Sequence, residues 1–146
     1  MRVILFQPRF AELVKSGKKC QTIRKAARCR PGDLLSLRCW REKPYRSTQV
    51  HLREATCTEV LPVTIGGGEW HDGLVLNGES LDLYDGMLLA EHFVIGLKRR
   101  ALAQADGFDS FHSMRTWFKE NHGLPFEGFA IRWELKEPTT KEKGEK

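Results

Sequence analysis

The feature that most constrains this chain is a change of period at Gly17. Up to that point Phe10, Leu13 and Val14 fall three and four residues apart, the spacing of one face of a short helix. Beyond it, Lys19-Cys20-Gln21-Thr22-Ile23-Arg24-Lys25 alternates in the manner of an extended segment. Glycine suits the break, because it ends a helix in a left-handed turn at little steric cost. In an extended reading Cys20, Thr22 and Arg24 share one face, opposite Lys19, Gln21 and Ile23. Cations and a hydroxyl just beyond a glycine predict the lip of an anion- or nucleotide-sized pocket.

The other elements read in the same way. Arg2 to Gln7 is rich in aliphatic and β-branched residues and predicts a strand, broken by Pro8. Arg30-Pro31-Gly32-Asp33 is a turn, with Asp33 in a structural role. Leu34 to Trp40 and Ser47 to Ile65 predict two more strands, the second bent near Pro62. Gly66-Gly67-Gly68 reads as a hinge or loop tip, since no Lys-Ser/Thr follows to hold a phosphate. Asn77-Gly78 between apolar runs predicts a tight hairpin. A helix is expected within Met87 to Ala105, interrupted at Gly96. A second runs from Asp109 to Asn121, capped by Asp109 or Ser110, with Phe111, Met114, Trp117 and Phe118 as its buried stripe. The last strand, Glu127 to Leu135, carries Phe129, Ile131, Trp133 and Leu135 on one face and Ala130, Arg132 and Glu134 on the other. Strands that do not alternate regularly with helices imply an α+β fold, built on a small β-barrel or a curved mixed sheet with flanking helices.

With 146 residues the chain is long enough for one domain with its own core. Residues 1–136 form that domain, 66–96 an acidic insert, and 137–146 a charged tail expected to be disordered. Charge is distributed unevenly. Residues 1–60 hold 14 basic and 5 acidic groups, whereas 61–96 hold none and 6, so a phosphate-bearing partner would be drawn to the amino-terminal half. Cys20, Cys29, Cys39 and Cys57 form no C-x-x-C pair and the five histidines no metal-binding spacing, so no metal or cofactor is expected. No apolar run spans a bilayer and the start is too short for a secretory signal, which together imply a cytoplasmic protein with reduced thiols and no membrane partner.

Two stretches together resemble a known family. Gly17-Lys18-Lys19-x-x-Thr22-x-Arg24 after a short Phe-Ala-Glu-Leu-Val helix, with Gly32-Asp33 before a strand, is similar to the first signature of the ASCH domain. Ala105-Asp106-Gly107-Phe108-Asp109-Ser110-Phe111, followed by a Trp-containing helix and a closing strand, is similar to the second. ASCH domains belong to the PUA-like superfamily. The resemblance implies a compact barrel with a cleft beside the first motif, and RNA or a modified nucleoside or nucleotide as partner. Some members are amidohydrolases that deacetylate N4-acetylcytidine with a lysine, a threonine and a glutamate. The motif carries the first two onto Lys19 and Thr22. The nearest acid to the third is Asp106, one residue displaced and one methylene shorter.

The expected function is therefore RNA or nucleotide binding in a cationic cleft, with hydrolysis of a nucleoside amide as the alternative. A ribonuclease ranks behind both, for want of a histidine pair. In the hydrolase reading a desolvated Lys19 takes the Thr22 proton and Asp106 protonates the leaving amine. Lys19 and Thr22 lie three apart, so they meet only if the chain bends at Cys20 or Gln21 or if the long lysine stem reaches round. Arg24 grips a phosphate or carboxylate, or forms a structural ion pair with Asp106. Asp106 has a plainer role open to it, capping a helix entrance. Arg9, Arg28 and Arg30 extend the cationic lip. Trp40, Tyr45 and Trp70 stand where a ring could stack on a base, although for Trp40 a core position is the first reading. Trp117 and Trp133 fall on apolar stripes and read as core.

Overall fold

The computed structural model describes residues 1–42, 47–68, 73–84 and 86–136. The elements run β1 (Arg2–Phe6), a 3-10 turn (Pro8–Phe10), α1 (Ala11–Ser16), β2 (Gln21–Arg24), β3 (Leu34–Trp40) and β4 (Gln49–Ile65). After these come β5 (Val75–Leu76), β6 (Glu79–Ser80), α2 (Leu89–Ala105), α3 (Phe111–Asn121) and β7 (Phe126–Leu135). Proline at the first turn and Gly17 at φ 87° delimit the first helical segment, as the period change requires. Asn77 and Gly78 both take positive φ, 51° and 82°, the primed turn that matches strand twist. Ser110 caps α3 by accepting from the Ser113 amide.

The fold is α+β, and the described residues place seven strands in one mixed sheet. β1 pairs parallel with β3, and every other pairing is antiparallel. The long β4 holds β3 along its first half and β5 beyond on one edge, while β7 runs along its other edge and carries β2 in turn. The sheet is not a closed barrel: β1 and β2 do not pair with each other. It curves because β4 slips register twice, against β3 near Leu52 and against β7 near Thr58. Each extra residue bends and twists its strand. The expected bend at Pro62 is therefore displaced; Pro62 sits inside regular pairing, opposite Phe129.

Curvature also changes which side chains are inside. Phe126, Gly128 and Ala130 are buried at the start of β7, then Ile131 and Trp133, so the covered face switches midway. Phe129, expected inward, is 36% exposed, whereas Ala130 is fully buried. The Gly66-Gly67-Gly68 segment is held rather than loose: Arg115 of α3 donates to the Gly66 and Gly68 carbonyls. Leu74 and Leu81 bury completely, which ties the acidic segment into the core. Tyr45, Trp70 and the tail from 137 lie outside the described residues. Among the described residues no helix is long and apolar enough to cross a membrane.

Gly96 does not interrupt α2, which runs unbroken from Leu89 to Ala105. A helical glycine weakens a helix by only about 1 kcal/mol, and buried Leu102 and Ala103 anchor the carboxyl-terminal turns. The amino-terminal turns project, leaving Leu89 and Phe93 86% and 66% exposed. Nothing lies within 4 Å of a Cβ built on Gly96, whereas one on Gly128 would stand 2.3 Å from the Arg24 carbonyl oxygen. Gly96→Ala should therefore raise unfolding stability by about 0.5–1 kcal/mol, and Gly128→Ala should lower it by about 1–3 kcal/mol or more. Urea denaturation measures both, and a loss at position 96 would contradict this geometry.

Candidate functional site

The open edges of the sheet come close at one place. Arg24, last residue of β2, donates from Nη2 to the Leu5 carbonyl of β1 at 2.6 Å. In that gap lies a cavity of about 310 Å³, lined by Phe6 and Gln7 on the β1 side and Thr22, Arg24 and Lys25 on the β2 side. Lys19 and Asp106 are part of its lining, and Phe10, Trp117, Phe118 and Phe126 supply aromatic walls. The rings pack edge-on and tilted, with Phe118 and Phe126 centroids 4.9 Å apart and Phe10 and Trp117 5.9 Å apart.

Lys19 reaches this cavity from outside the strand ladder. β2 begins at Gln21, and the Lys19 and Cys20 amides bond instead to the Leu13 and Ala105 carbonyls. Freed from strand alternation, the Lys19 side chain turns inward to 2% exposure. Its Nζ donates to the Asp106 carbonyl at 2.5 Å and stands 3.4 Å from Asp106 Oδ2. It also lies 4.8 Å from the centre of the Phe10 ring, a favourable position for a cation over a π face.

Asp106 does not cap a helix entrance. It ends α2, and Ser110 caps α3. A carboxylate at a helix carboxyl terminus is opposed by the backbone dipole, so other groups hold Asp106 there. Besides Lys19, Gln21 donates from Nε2 to Asp106 Oδ1 at 3.3 Å. Gln21 is fully buried, and its orientation is set from behind: Arg132 Nε donates to Gln21 Oε1 at 2.9 Å. Arginine cannot accept a hydrogen bond, so the amide nitrogen must face the carboxylate. Burial is the main influence on both charges, moving Lys19 below its ordinary value and Asp106 above its own, against their mutual attraction.

Thr22 and Arg24 sit side by side, with Arg24 Nε donating to Thr22 Oγ1 at 3.1 Å. Arg24 does not pair with Asp106; Lys19 holds that place. Arg24 also crosses the Phe6 ring at 5.3 Å. Lys19, Thr22, Asp106 and Arg24 thus line one cavity, while Arg9 and Trp40 stand outside it. Arg9 is exposed over the Phe10 and Phe108 rings, and Trp40 is half-buried at the end of β3. Cys20 lines a different hollow, with Arg132 and Trp133. Cys57 is buried with its thiol pushed up to about 11, chiefly by desolvation, and this suits a core residue rather than a nucleophile.

Some lining residues escape a reading of the chain. Trp117 falls on a helical stripe, yet it is half-buried and faces the cavity as well as the core. Gln21 shares the Lys19 face in the alternating pattern, the one signal that could have singled it out. His122 at the end of α3 lines the mouth. Among the described residues no group of three His, Cys, Asp or Glu gathers that could hold a metal. None of the described residues of 66–96 lines the cavity. Compared with protein-family models, curated proteins and solved structures, the chain gives no significant match.

Two measurements probe this arrangement. Lys19→Met and Asp106→Leu should each lose about 3–5 kcal/mol of stability, because each strands a buried charge or polar partner; the double variant should regain most of that loss. Additive losses in urea titrations would mean that the two side chains are not coupled. His122 lies below its ordinary 6.5, from partial burial first and then from Lys25 and Arg24. The unfolded chain therefore takes up this proton first as pH falls, so the contribution of His122 is full above 6.5 and declines below it. His122→Gln should flatten the fall in stability on that acid side, measured as the difference from wild type.

Proposed function

We propose that this chain is an ASCH-like module of PUA-like type whose cavity takes a single nucleobase, from RNA or from a free nucleoside or nucleotide. The observation that carries this reading is the pairing of aromatic walls with a polar end in one concave space. A volume of about 310 Å³ falls at the small end of the range for ligand sites, roughly 300–1,000 Å³. Phe10 and Trp117 offer faces on which a base can stack, a contact that contributes about 1–3 kcal/mol per base. The cationic amino-terminal half would draw in the phosphates of a longer chain. A curved mixed sheet with helices beside its open edges is compatible with the superfamily.

A second reading, hydrolysis of a nucleoside amide, is favoured by one observation: Lys19, Thr22 and Asp106 line the same cavity. A lysine shifted toward its neutral form is suited to take the threonine proton. The oxygen of Thr22 would then attack the acetyl carbonyl and the amide C–N bond would break. Asp106 or Lys19 would return a proton to the amine, and water would release acetate. Against it, Thr22 Oγ1 accepts from Arg24, while Lys19 Nζ is turned to the carbonyl and carboxylate of Asp106. The resting arrangement thus suits recognition better than attack. A ribonuclease is weaker still, since among the described residues His122 is the only histidine lining the cavity.

Calorimetric titration with cytidine, N4-acetylcytidine and short single-stranded RNA separates the readings. Binding is expected for at least one of them, at least about tenfold weaker in Trp117→Leu, from the loss of stacking. RNA affinity should fall with added salt. Acetate release from N4-acetylcytidine, abolished by Thr22→Ala and by Lys19→Ala, would move the protein to the hydrolase reading. If none of the three binds, the nucleobase reading is wrong.

A further inference from the structure

We propose that the polar end of the cavity is a seat for an oxyanion, so that the ligand is a planar ring carrying a carboxylate or a phosphate rather than a neutral ring. This rests on the reading of the cavity as a ring-binding site, and narrows it to a charge class.

The inference starts from how each polar group at that end is already used. Arg24 donates Nε to the Thr22 hydroxyl and Nη2 to the Leu5 carbonyl, and both acceptors are neutral. Among the described residues no carboxylate lies within ion-pair distance of it, and Nη1 makes no bond to any of them. The guanidinium lines the cavity and keeps its charge at any ordinary pH. Taking a cation out of water without a counter-charge is unfavourable, and a bound anion would remove that penalty.

Thr22 is 4% exposed and its oxygen already accepts from Arg24. A hydroxyl has one proton to give, and with a charged donor against its oxygen that proton turns away, toward an incoming acceptor. Asp106 does not compete for these donors. Its Oδ1 accepts from Gln21, and its Oδ2 faces Lys19. Lys25 adds a further cation at the exposed mouth. Three cations, Lys19, Arg24 and Lys25, thus line the cavity with one acid, Asp106. At this end Arg24 Nη1, the Thr22 hydroxyl and Lys25 are donors left to meet a ligand, with Gln7 and His122 elsewhere in the lining. An oxyanion is the acceptor that fits such a set, and charge-assisted bonds of this kind are roughly twice as strong as neutral ones. The aromatic walls would take the ring that carries it.

Three matched pairs test the idea by calorimetry on the full chain. Cytidine against cytidine 5′-monophosphate offers a phosphate, uracil against uracil-6-carboxylate a ring carboxylate, and benzamide against benzoate a carboxylate with no nucleobase. The charged member of at least one pair should bind about tenfold tighter or more, and which pair shows it tells phosphate from carboxylate. Thr22→Val, nearly the same shape without the donor, should cut that preference several-fold, as should Lys25→Gln. Arg24→Gln should abolish it. Because Arg24 also joins the sheet edges, the first two variants keep the test decisive if the third fails to fold. Equal binding of both members in every pair overturns the oxyanion seat and leaves the nucleobase reading standing. Benzoate bound without any nucleobase ring supports the seat and removes the nucleobase reading. No binding in any pair overturns both.

Discussion

The buried pair of Lys19 and Asp106 is the contact on which the rest of the site depends. It joins residues far apart in the chain, one just before β2 and one at the end of α2. Neither is comfortable alone. Lys19 is desolvated, and Asp106 is both desolvated and opposed by the dipole of the helix it ends. Together with Gln21 and Arg132 they satisfy one another in a chain of bonds from the cavity to the far side of the sheet. A buried pair of this kind adds little net stability compared with an apolar core of the same volume. What it supplies here is placement, since it seats the end of α2 against the start of β2 and closes the back of the cavity.

Curvature of the sheet supplies the opposite wall. Two register slips in β4 bend it enough to bring β1 and β2 toward each other without pairing them. Had the two edges formed a ladder, backbone bonds would fill the gap where the cavity lies. Instead one side chain, Arg24, spans it and meets the Leu5 carbonyl. Gly128 makes the approach possible on the other side of β2, because any side chain there would collide with the Arg24 carbonyl. Arg24 is thus both a structural tie and a residue that lines the cavity.

Much of the secondary structure was legible from the chain because it rests on local chemistry. The change of period at Gly17, the Asn77-Gly78 turn, the Ser110 cap and the limits of β3 each follow from a few neighbouring residues. Readings that needed a neighbour across the fold went astray. The bend of β4 is at its register slips and not at Pro62, Ala130 rather than Phe129 is buried, and α2 runs through Gly96. At Gly96 a local preference of about 1 kcal/mol yielded to the anchoring of α2 by its buried turns, and in β4 and β7 the pairing across the sheet decided.

The candidate site divides along the same line. Residue order places Lys19, Thr22 and Arg24 close together after a helix stop, and Asp106 in a second polar motif near a helix. Spacing and residue chemistry suffice for that. It takes contacts across the fold to bring these four to one cavity without Arg9 and Trp40, to pair Asp106 with Lys19 rather than Arg24, and to add Trp117 and His122 to the lining. Strand alternation alone sets Lys19 and Thr22 on opposite faces. They share a cavity because Lys19 lies outside the ladder, its backbone bonded to the end of α1, where alternation no longer governs where a side chain points.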